Sequence, residues 1–310
     1  MILSASRRTD IPAFYSQWFF HRIKEQYVLI RNPHNPRQVS RIQLVPDTVD
    51  CIVFWSKNPA PMLPNLSFLK PYCYYFQFTL NPYGTEIERN LPSLKERIHT
   101  FQELSSRIGK ERVIWRYDPV LLGGGYTISW HIQQFQKLAS QLAPYTETCI
   151  ISFLDWYPSI SRRLLSSGIR DFAAGEQAAL AEGFACVSRS FGLSLATCSE
   201  RIDLSSYGIR HACCIDRSLI ERLAGFSLNA AKDKNQRQEC GCISSIDLGF
   251  YHTCPNGCLY CYANPYGMPK HAADYDPSSP LLCSHLTADD QVYERKTASL
   301  KEPQMRLPFI

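Results

Sequence analysis

Short β-like runs alternate with longer helical patterns between residues 2 and 229. The runs are rich in Ile, Val, Phe, Tyr and Trp, which is typical of buried parallel strands. Apolar residues at helical spacing, such as Leu94, Ile98 and Phe101, lie between them. Because strand and helix alternate six times, we predict an α/β fold with a parallel sheet. The six predicted strands are Ile2–Ser4, Cys51–Trp55, Cys73–Leu80, Arg112–Tyr117, Cys149–Phe153 and Leu193–Thr197.

Chain length and short βα connections favour a partial (β/α)6 barrel of the TIM type over residues 1–229. A doubly wound open sheet is the alternative, and periodicity does not separate the two. No G-x-G-x-x-G fingerprint follows the first strand, which disfavours a dinucleotide-binding fold. Residues 230–310 are polar, then rich in Cys, then rich in Pro. We predict that they form a cysteine-rich extension and an irregular tail packed on the barrel.

The 13 cysteines of this 310-residue chain cannot all pair, because their number is odd. The sequence shows no secretory signal and no apolar run of membrane-spanning length. We therefore expect a cytoplasmic protein, with no membrane partner, whose clustered cysteines bind metal rather than form disulfides. The net charge of +5 favours an anionic ligand only weakly and gives little reason to expect a nucleic acid.

Polar residues follow each predicted strand, and in α/β folds that edge of the sheet binds ligands. We predict that the arginines and lysine of this set hold a carboxylate or phosphate group. Asp10, Asp118, Asp155 and Glu200 are acid/base candidates, and spacing selects no pair among them. The alternative is that they form ion pairs with Asp10, Asp118, Asp155 and Glu200. The predicted catalytic residues are Arg7, Arg8, Asp10, Lys57, Arg116 and Asp118, and the predicted cofactor-binding residues are Thr79, Ser152, Glu200 and Tyr260.

The most specific motif is Cys254-Pro-Asn-Gly-Cys258-Leu-Tyr-Cys261, with the spacing C-x3-C-x2-C. Thiolates suit iron–sulfur clusters or zinc. Three cysteines can hold three irons of a [4Fe–4S] cube and leave one iron open, whereas structural zinc takes four protein ligands. The motif therefore favours a cluster with an open coordination site.

This spacing, with an aromatic residue before the last cysteine, resembles the radical S-adenosylmethionine (SAM) superfamily. The resemblance implies that Cys254, Cys258 and Cys261 are the cluster ligands and that Tyr260 is the aromatic neighbour of the cluster. It also implies a partial βα barrel, SAM as cofactor, and flavodoxin or ferredoxin as electron donor. The motif differs in position, because it follows all six βα units instead of the first strand.

Over nearly its whole length the chain resembles an uncharacterised bacterial family, a domain of unknown function whose C-terminal cysteines are likened to the radical SAM cluster. This resemblance supports the cluster and implies no substrate. The stretches that carry it are Ser4–Pro12, Phe54–Pro59, Trp115–Pro119 and Asp247–Asn264.

A second group of cysteines precedes the motif. We predict that four of them bind an auxiliary iron–sulfur cluster or zinc, and the alternative is that several are small buried hydrophobic residues. Cys240-Gly-Cys242 is the most tightly spaced pair. The predicted ligands are Cys198, Cys214, Cys240 and Cys242.

We therefore predict a radical SAM-like enzyme that acts on a polar or anionic small molecule. The first alternative is a βα-barrel binding or hydrolytic protein with a structural zinc or a redox-passive cluster, in which Cys242 or His252 supplies a fourth ligand. A nucleic-acid-modifying enzyme is a further alternative.

Overall fold

The computed structural model describes residues 1–264 and 269–302. The predicted irregular tail includes residues 265–268 and 303–310, which lie outside the described residues. The α-helices of the described part are α1 (Ile11–Phe14), α2 (Ser16–Glu25), α3 (Leu94–Ile108), α4 (Ile128–Leu142), α5 (Pro158–Ser166), α6 (Glu176–Ser190) and α7 (Arg217–Ala224). The strands are β1 (Ile2–Ala5), β2 (Tyr27–Asn32), β3 (Asn35–Gln43), β4 (Cys51–Ser56), β5 (Tyr74–Thr79), β6 (Val113–Val120), β7 (Leu122–Gly123), β8 (Thr148–Phe153), β9 (Ile169–Arg170), β10 (Ser194–Cys198), β11 (Arg210–Ala212), β12 (Ile246–Asp247) and β13 (Gln291–Glu294).

The main sheet has eight strands in the order β11-β10-β8-β6-β5-β4-β1-β12. All its pairings are parallel. The six strands predicted from sequence pair in chain order within it, so the α/β fold and the parallel sheet are confirmed. In the part of the chain that the structure describes, β11 and β12 form the two ends of this sheet and do not pair with each other. The sheet is therefore open, and closure into a barrel is not observed.

Successive residues of a strand point to opposite faces of the sheet, and the core divides in the same way. Ile52 and Phe54 of β4 belong to the large core cluster that includes the helices. Cys51 and Val53 belong to a second cluster, which includes Ile243 and other residues from the segment after β11. One face of the sheet therefore packs against most of the helices, and the other packs against the segment that follows β11, which includes α7 and the cysteine-rich stretch.

The helix ends follow their sequence signals. The hydroxyl of Ser93 accepts a hydrogen bond from Glu96 N at the start of α3, and the Glu96 carboxylate accepts one from Ser93 N. This capping box satisfies two backbone donors of the first turn. Gly109 ends α3 with φ +96°, a backbone conformation that glycine adopts without strain. Leu94, Ile98 and Phe101, whose spacing predicted a helix, all lie within α3.

A smaller sheet was not predicted. β2 and β3 form an antiparallel hairpin, and β13 pairs with β3 in parallel. Part of the predicted irregular tail is therefore a strand. The sequences of β3 and β13 are mostly polar and partly exposed, so they lack the apolar runs that identify buried strands. Among the described helices, none combines the length and the apolar character needed to cross a bilayer.

Candidate functional site

A cavity of ≈ 330 Å³ lies at the carboxyl ends of the parallel strands. Its lining combines residues from the C-terminal parts of β4, β5, β6, β8 and β10 and from the loop after β1 with the loop that carries the C-x3-C-x2-C motif. Parallel strands bring their carboxyl ends to one edge, which explains why residues far apart in sequence meet here. The predicted residues that line the cavity are Arg7, Arg8, Asp10, Lys57, Thr79, Arg116, Asp118, Ser152 and Tyr260.

Seven cysteines line the same cavity, and they are the seven predicted metal ligands. Three belong to the motif and four to the preceding group. Cys213, next to Cys214 in sequence, is not in the lining. The seven are Cys198, Cys214, Cys240, Cys242, Cys254, Cys258 and Cys261. The two groups are therefore neighbours in space and face one cavity.

The motif loop is held by backbone contacts with the segment after β5. Leu259 N donates to Ile87 O at 2.8 Å, and Asn90 N donates to Asn256 O at 3.1 Å. Gly257, inside the loop, has φ +66°, and a Cβ there would lie 3.0 Å from Asn90 Nδ2. The loop thus depends on glycine at a position where it closely approaches this segment.

Asp10 connects three parts of the site. Its carboxylate accepts hydrogen bonds from Ala13 N at the start of α1, from Lys57 N after β4, and from Asn256 Nδ2 in the motif loop. Burial raises the pKa of Asp10, while these donors lower it in part. Asp10 therefore anchors the motif loop, and its oxygens are engaged within the protein.

Lys57 is neutralised by a residue that sequence reasoning missed. Its ammonium donates to Glu88 Oε1 at 2.8 Å and to the hydroxyl of Tyr260 at 2.7 Å. Arg97 Nη1 donates to Glu88 Oε2 at 3.2 Å, so Glu88 lies between two cations. Burial alone would raise the pKa of Glu88, but the charges of Lys57 and Arg97 lower it overall. Glu88 lies in a loop without periodicity, so no sequence signal identified it.

Arg116 is also paired within the protein. Its Nε and Nη2 donate to Asp118 Oδ2, the former at 2.9 Å, and the Ser152 hydroxyl donates to Asp118 Oδ1. Burial by itself raises the pKa of Asp118, and Arg116 with Ser152 lowers it overall. The alternative reading of these residues as ion pairs thus describes Arg116 and Asp118. For Lys57 the partner is Glu88, which was not among the expected carboxylates.

Arg7 differs from these cations. Its Nη2 is buried and has no hydrogen-bond partner among the described residues. Its guanidinium lies 5.3 Å from the centre of the Trp55 ring, and both residues line the cavity. The guanidinium of Arg8 lies over the ring of Tyr251 at 5.0 Å. Arg7 is therefore a predicted cation of the cavity lining that keeps an unpaired, buried donor.

Glu200 and His252 do not line the cavity. The carboxylate of Glu200 accepts a hydrogen bond from Phe153 N at 2.8 Å, which ties the end of β10 to the end of β8. Burial raises the pKa of Glu200 to about 7. Glu200 thus supports the edge of the sheet from outside the cavity lining.

The motif cysteines suit a metal group in their donor chemistry. Burial raises the pKa of Cys254 to about 12, so a thiolate at this position needs a strong positive partner such as iron. Cys254 is half-buried and Cys258 is buried, and burial likewise raises the pKa of the Cys258 thiol. As the side chains stand, no three His, Cys, Asp or Glu residues of the described ranges form a group that could hold a metal ion. The fit therefore rests on donor type, burial and common exposure to one cavity.

One protein-family model matches most of the sequence. Residues 2–263 match the family model described as "Domain of unknown function (DUF1848)". The match includes all six predicted strands and extends two residues beyond Cys261. The chain matches no curated protein. It also matches no solved structure.

Proposed function

The chain belongs to the DUF1848 family, and we propose that it is a radical SAM-like iron–sulfur enzyme acting on a polar or anionic small molecule. Cys254, Cys258 and Cys261 would hold a [4Fe–4S] cluster. When bound there with SAM, such a cluster supplies one-electron reductive cleavage of SAM. The observation that carries the proposal is that the motif loop lies at the carboxyl edge of the sheet, where its cysteines line the cavity.

The proposal includes a curved sheet of the partial-barrel type. In its support, a single cavity is lined by residues from the ends of strands as far apart in the sheet as β1 and β10. The concave side would be filled by the segment that follows β11. Tyr75 and Gln77 of β5 both donate hydrogen bonds to Cys214 O, and Tyr75 shares a buried cluster with Cys240, Cys242 and Ile243. The two units expected from sequence, residues 1–229 and 230–310, would meet through that cluster.

The cationic residues that line the cavity are of two kinds. Lys57 and Arg116 are neutralised by carboxylates, so they shape the wall and hold the strand ends together. Arg7 lines the cavity, and its buried Nη2 has no hydrogen-bond partner among the described residues, which would suit a substrate carboxylate or phosphate. Trp55 covers its face and limits the positions it can take. Arg7 is thus the residue we assign to anion binding.

The proposal implies a low-potential electron donor such as flavodoxin or ferredoxin, and a reducing compartment such as the cytoplasm. The thiols that line the cavity can act as metal ligands only while they are reduced.

The test compares metal content after anaerobic reconstitution with ferrous iron and sulfide. The variant Cys254→Ala/Cys258→Ala/Cys261→Ala removes the motif thiols. The control Cys73→Ala/Cys186→Ala/Cys213→Ala removes as many thiols outside the cavity lining. We expect the first variant to lose a cluster's iron and sulfide and the control to keep both. Equal iron in the two variants would contradict the assignment, and stoichiometric zinc without iron would support the structural-zinc alternative.

A further inference from the structure

The four cysteines outside the motif form one connected group. Cys198 Sγ lies 2.9 Å from Cys214 Sγ. Cys214 also interacts with Cys242 through their side chains, and Cys242 interacts with Cys240 in the same way. The group joins the end of β10 to two loops that follow β11. Side-chain contacts therefore link all four sulfurs.

Two cations accompany these sulfurs. Arg116 Nη1 lies 2.9 Å from Cys214 Sγ. Arg7, whose buried Nη2 has no hydrogen-bond partner among the described residues, interacts electrostatically with Cys242, Cys214 and Cys240. A buried guanidinium requires negative charge nearby. Asp118 supplies it for Arg116, and Asp247 interacts electrostatically with Arg7. Thiolates ligating a metal would add to the negative charge around Arg7, because four thiolates around a divalent ion leave a net negative charge.

The backbone holds the group in place. Ile215 N donates to Cys242 Sγ at 3.3 Å, a contact of the kind that stabilises thiolate ligands. Tyr75 OH and Gln77 Nε2 both donate to Cys214 O, at 2.7 and 2.9 Å. Gly241 separates Cys240 from Cys242, and a Cβ there would lie 2.6 Å from Cys213 Sγ. The tight C-x-C turn is thus built around a residue without a side chain.

We propose that Cys198, Cys214, Cys240 and Cys242 form a second metal centre, a four-thiolate site that faces the same cavity as the motif cysteines. The ligand chemistry fits an iron–sulfur cluster and zinc alike. Metal binding turns the four side chains from their present contacts with each other toward a common centre. The proposal does not depend on the first cluster, since it uses none of the motif cysteines.

The test uses the full chain with the motif removed, as Cys254→Ala/Cys258→Ala/Cys261→Ala. This background is reconstituted without oxygen, once with ferrous iron and sulfide and once with Zn²⁺ alone. Two readouts follow: metal bound per chain, and the rate at which iodoacetamide alkylates each cysteine, mapped by mass spectrometry. We expect the background to bind one metal centre, and alkylation of the four ligands to slow by about tenfold or more.

Two cysteines outside the cavity lining provide the matched control. Added to the background, Cys214→Ser/Cys242→Ser should lose the metal, whereas Cys213→Ser/Cys186→Ser should keep it, because neither of these residues lines the cavity. If the variant with Cys214→Ser/Cys242→Ser fails to fold, the alkylation rates of the background alone show whether the four cysteines bind metal. Protection by iron with sulfide identifies a cluster, and protection by Zn²⁺ alone identifies zinc.

The proposal is overturned if the background binds neither metal, or if its four thiols react at the same rate with and without metal. A Cys198–Cys214 disulfide in anaerobically purified protein would overturn it as well. Failure of the proposed radical SAM-like function gives a different pattern, in which removing the motif cysteines changes neither the iron content nor the response to SAM. The two hypotheses can therefore fail separately.

Discussion

The ammonium of Lys57 lies 2.8 Å from Glu88 Oε1, and the Glu88 side chain is fully buried. Arg97 pairs with the other oxygen of the same carboxylate. The main chain of Glu88 also forms a bridge with Cys258 of the motif loop. One carboxylate thus balances two cations directly beside the proposed cluster ligands.

Replacing Glu88 by Gln should therefore destabilise the protein strongly. The substitution leaves Lys57 and Arg97 buried without a counter-charge, which costs about 3–5 kcal/mol of unfolding free energy. Urea unfolding of the two proteins measures the loss. The control is Glu86→Gln in the same loop, where the carboxylate is exposed and its partners are the Tyr126 hydroxyl and the backbone of Gly84 and Glu86. No buried cation depends on it, so the loss should stay under about 1 kcal/mol. Equal losses for the two variants would argue against the role given to Glu88.

Gly257→Ala tests how the motif loop is held. Its φ of +66° costs an L residue about 1–2 kcal/mol, and the new Cβ would press on Asn90 Nδ2. Gly208→Ala is the matched control, because Gly208 has φ +77° with open space around it. We expect both variants to lose stability, but only Gly257→Ala to lose reconstituted iron. The measurements are thermal unfolding and iron content, and equal iron retention would count against this account of the loop.

Buried His131 makes stability depend on pH. Its ring nitrogens contact the Tyr117 hydroxyl at 2.8 Å and Leu121 O at 2.6 Å, and burial lowers its pKa to about 4. The unfolded chain binds a proton near pH 6.5, so stability is retained above that pH and falls as pH drops toward 4.

When the pH is lowered from 7.5 to 5, protonation of His131 in the unfolded chain should by itself lower the unfolding free energy by about 2 kcal/mol. We expect urea unfolding of the parent to show that loss in excess of the loss shown by His131→Gln, which cannot titrate in this range. Parallel curves for the two proteins would contradict the lowered pKa.

Sequence patterns predicted the main sheet well because its strands are buried on both faces. Runs such as Cys51–Trp55 are apolar at successive positions. Most of the helices cover one side, and the segment after β11, which includes α7, covers the other. The β2–β3 hairpin was missed for the opposite reason, since β3 begins with three exposed residues and has little apolar character.

The sequence predicted most of the charged residues that line the candidate site, but it did not predict which residues pair with them. Strand-end residues such as Arg7 and Asp118 do line the cavity. Lys57, however, pairs with Glu88, which is 31 residues away in a loop that follows β5. Charge partners in such loops are set by tertiary packing, which spacing along the chain does not encode. The same limit applies to Asn256, whose contact with Asp10 places the motif loop.

We propose that the motif cysteines hold a cluster with an iron open to SAM. Electron paramagnetic resonance can detect that open iron in protein that is reconstituted without oxygen, reduced, and measured with and without SAM. We expect a reduced [4Fe–4S] signal that changes shape when SAM is added, and that is absent from Cys254→Ala/Cys258→Ala/Cys261→Ala. A cluster signal indifferent to SAM, or stoichiometric zinc with no iron signal, would contradict it.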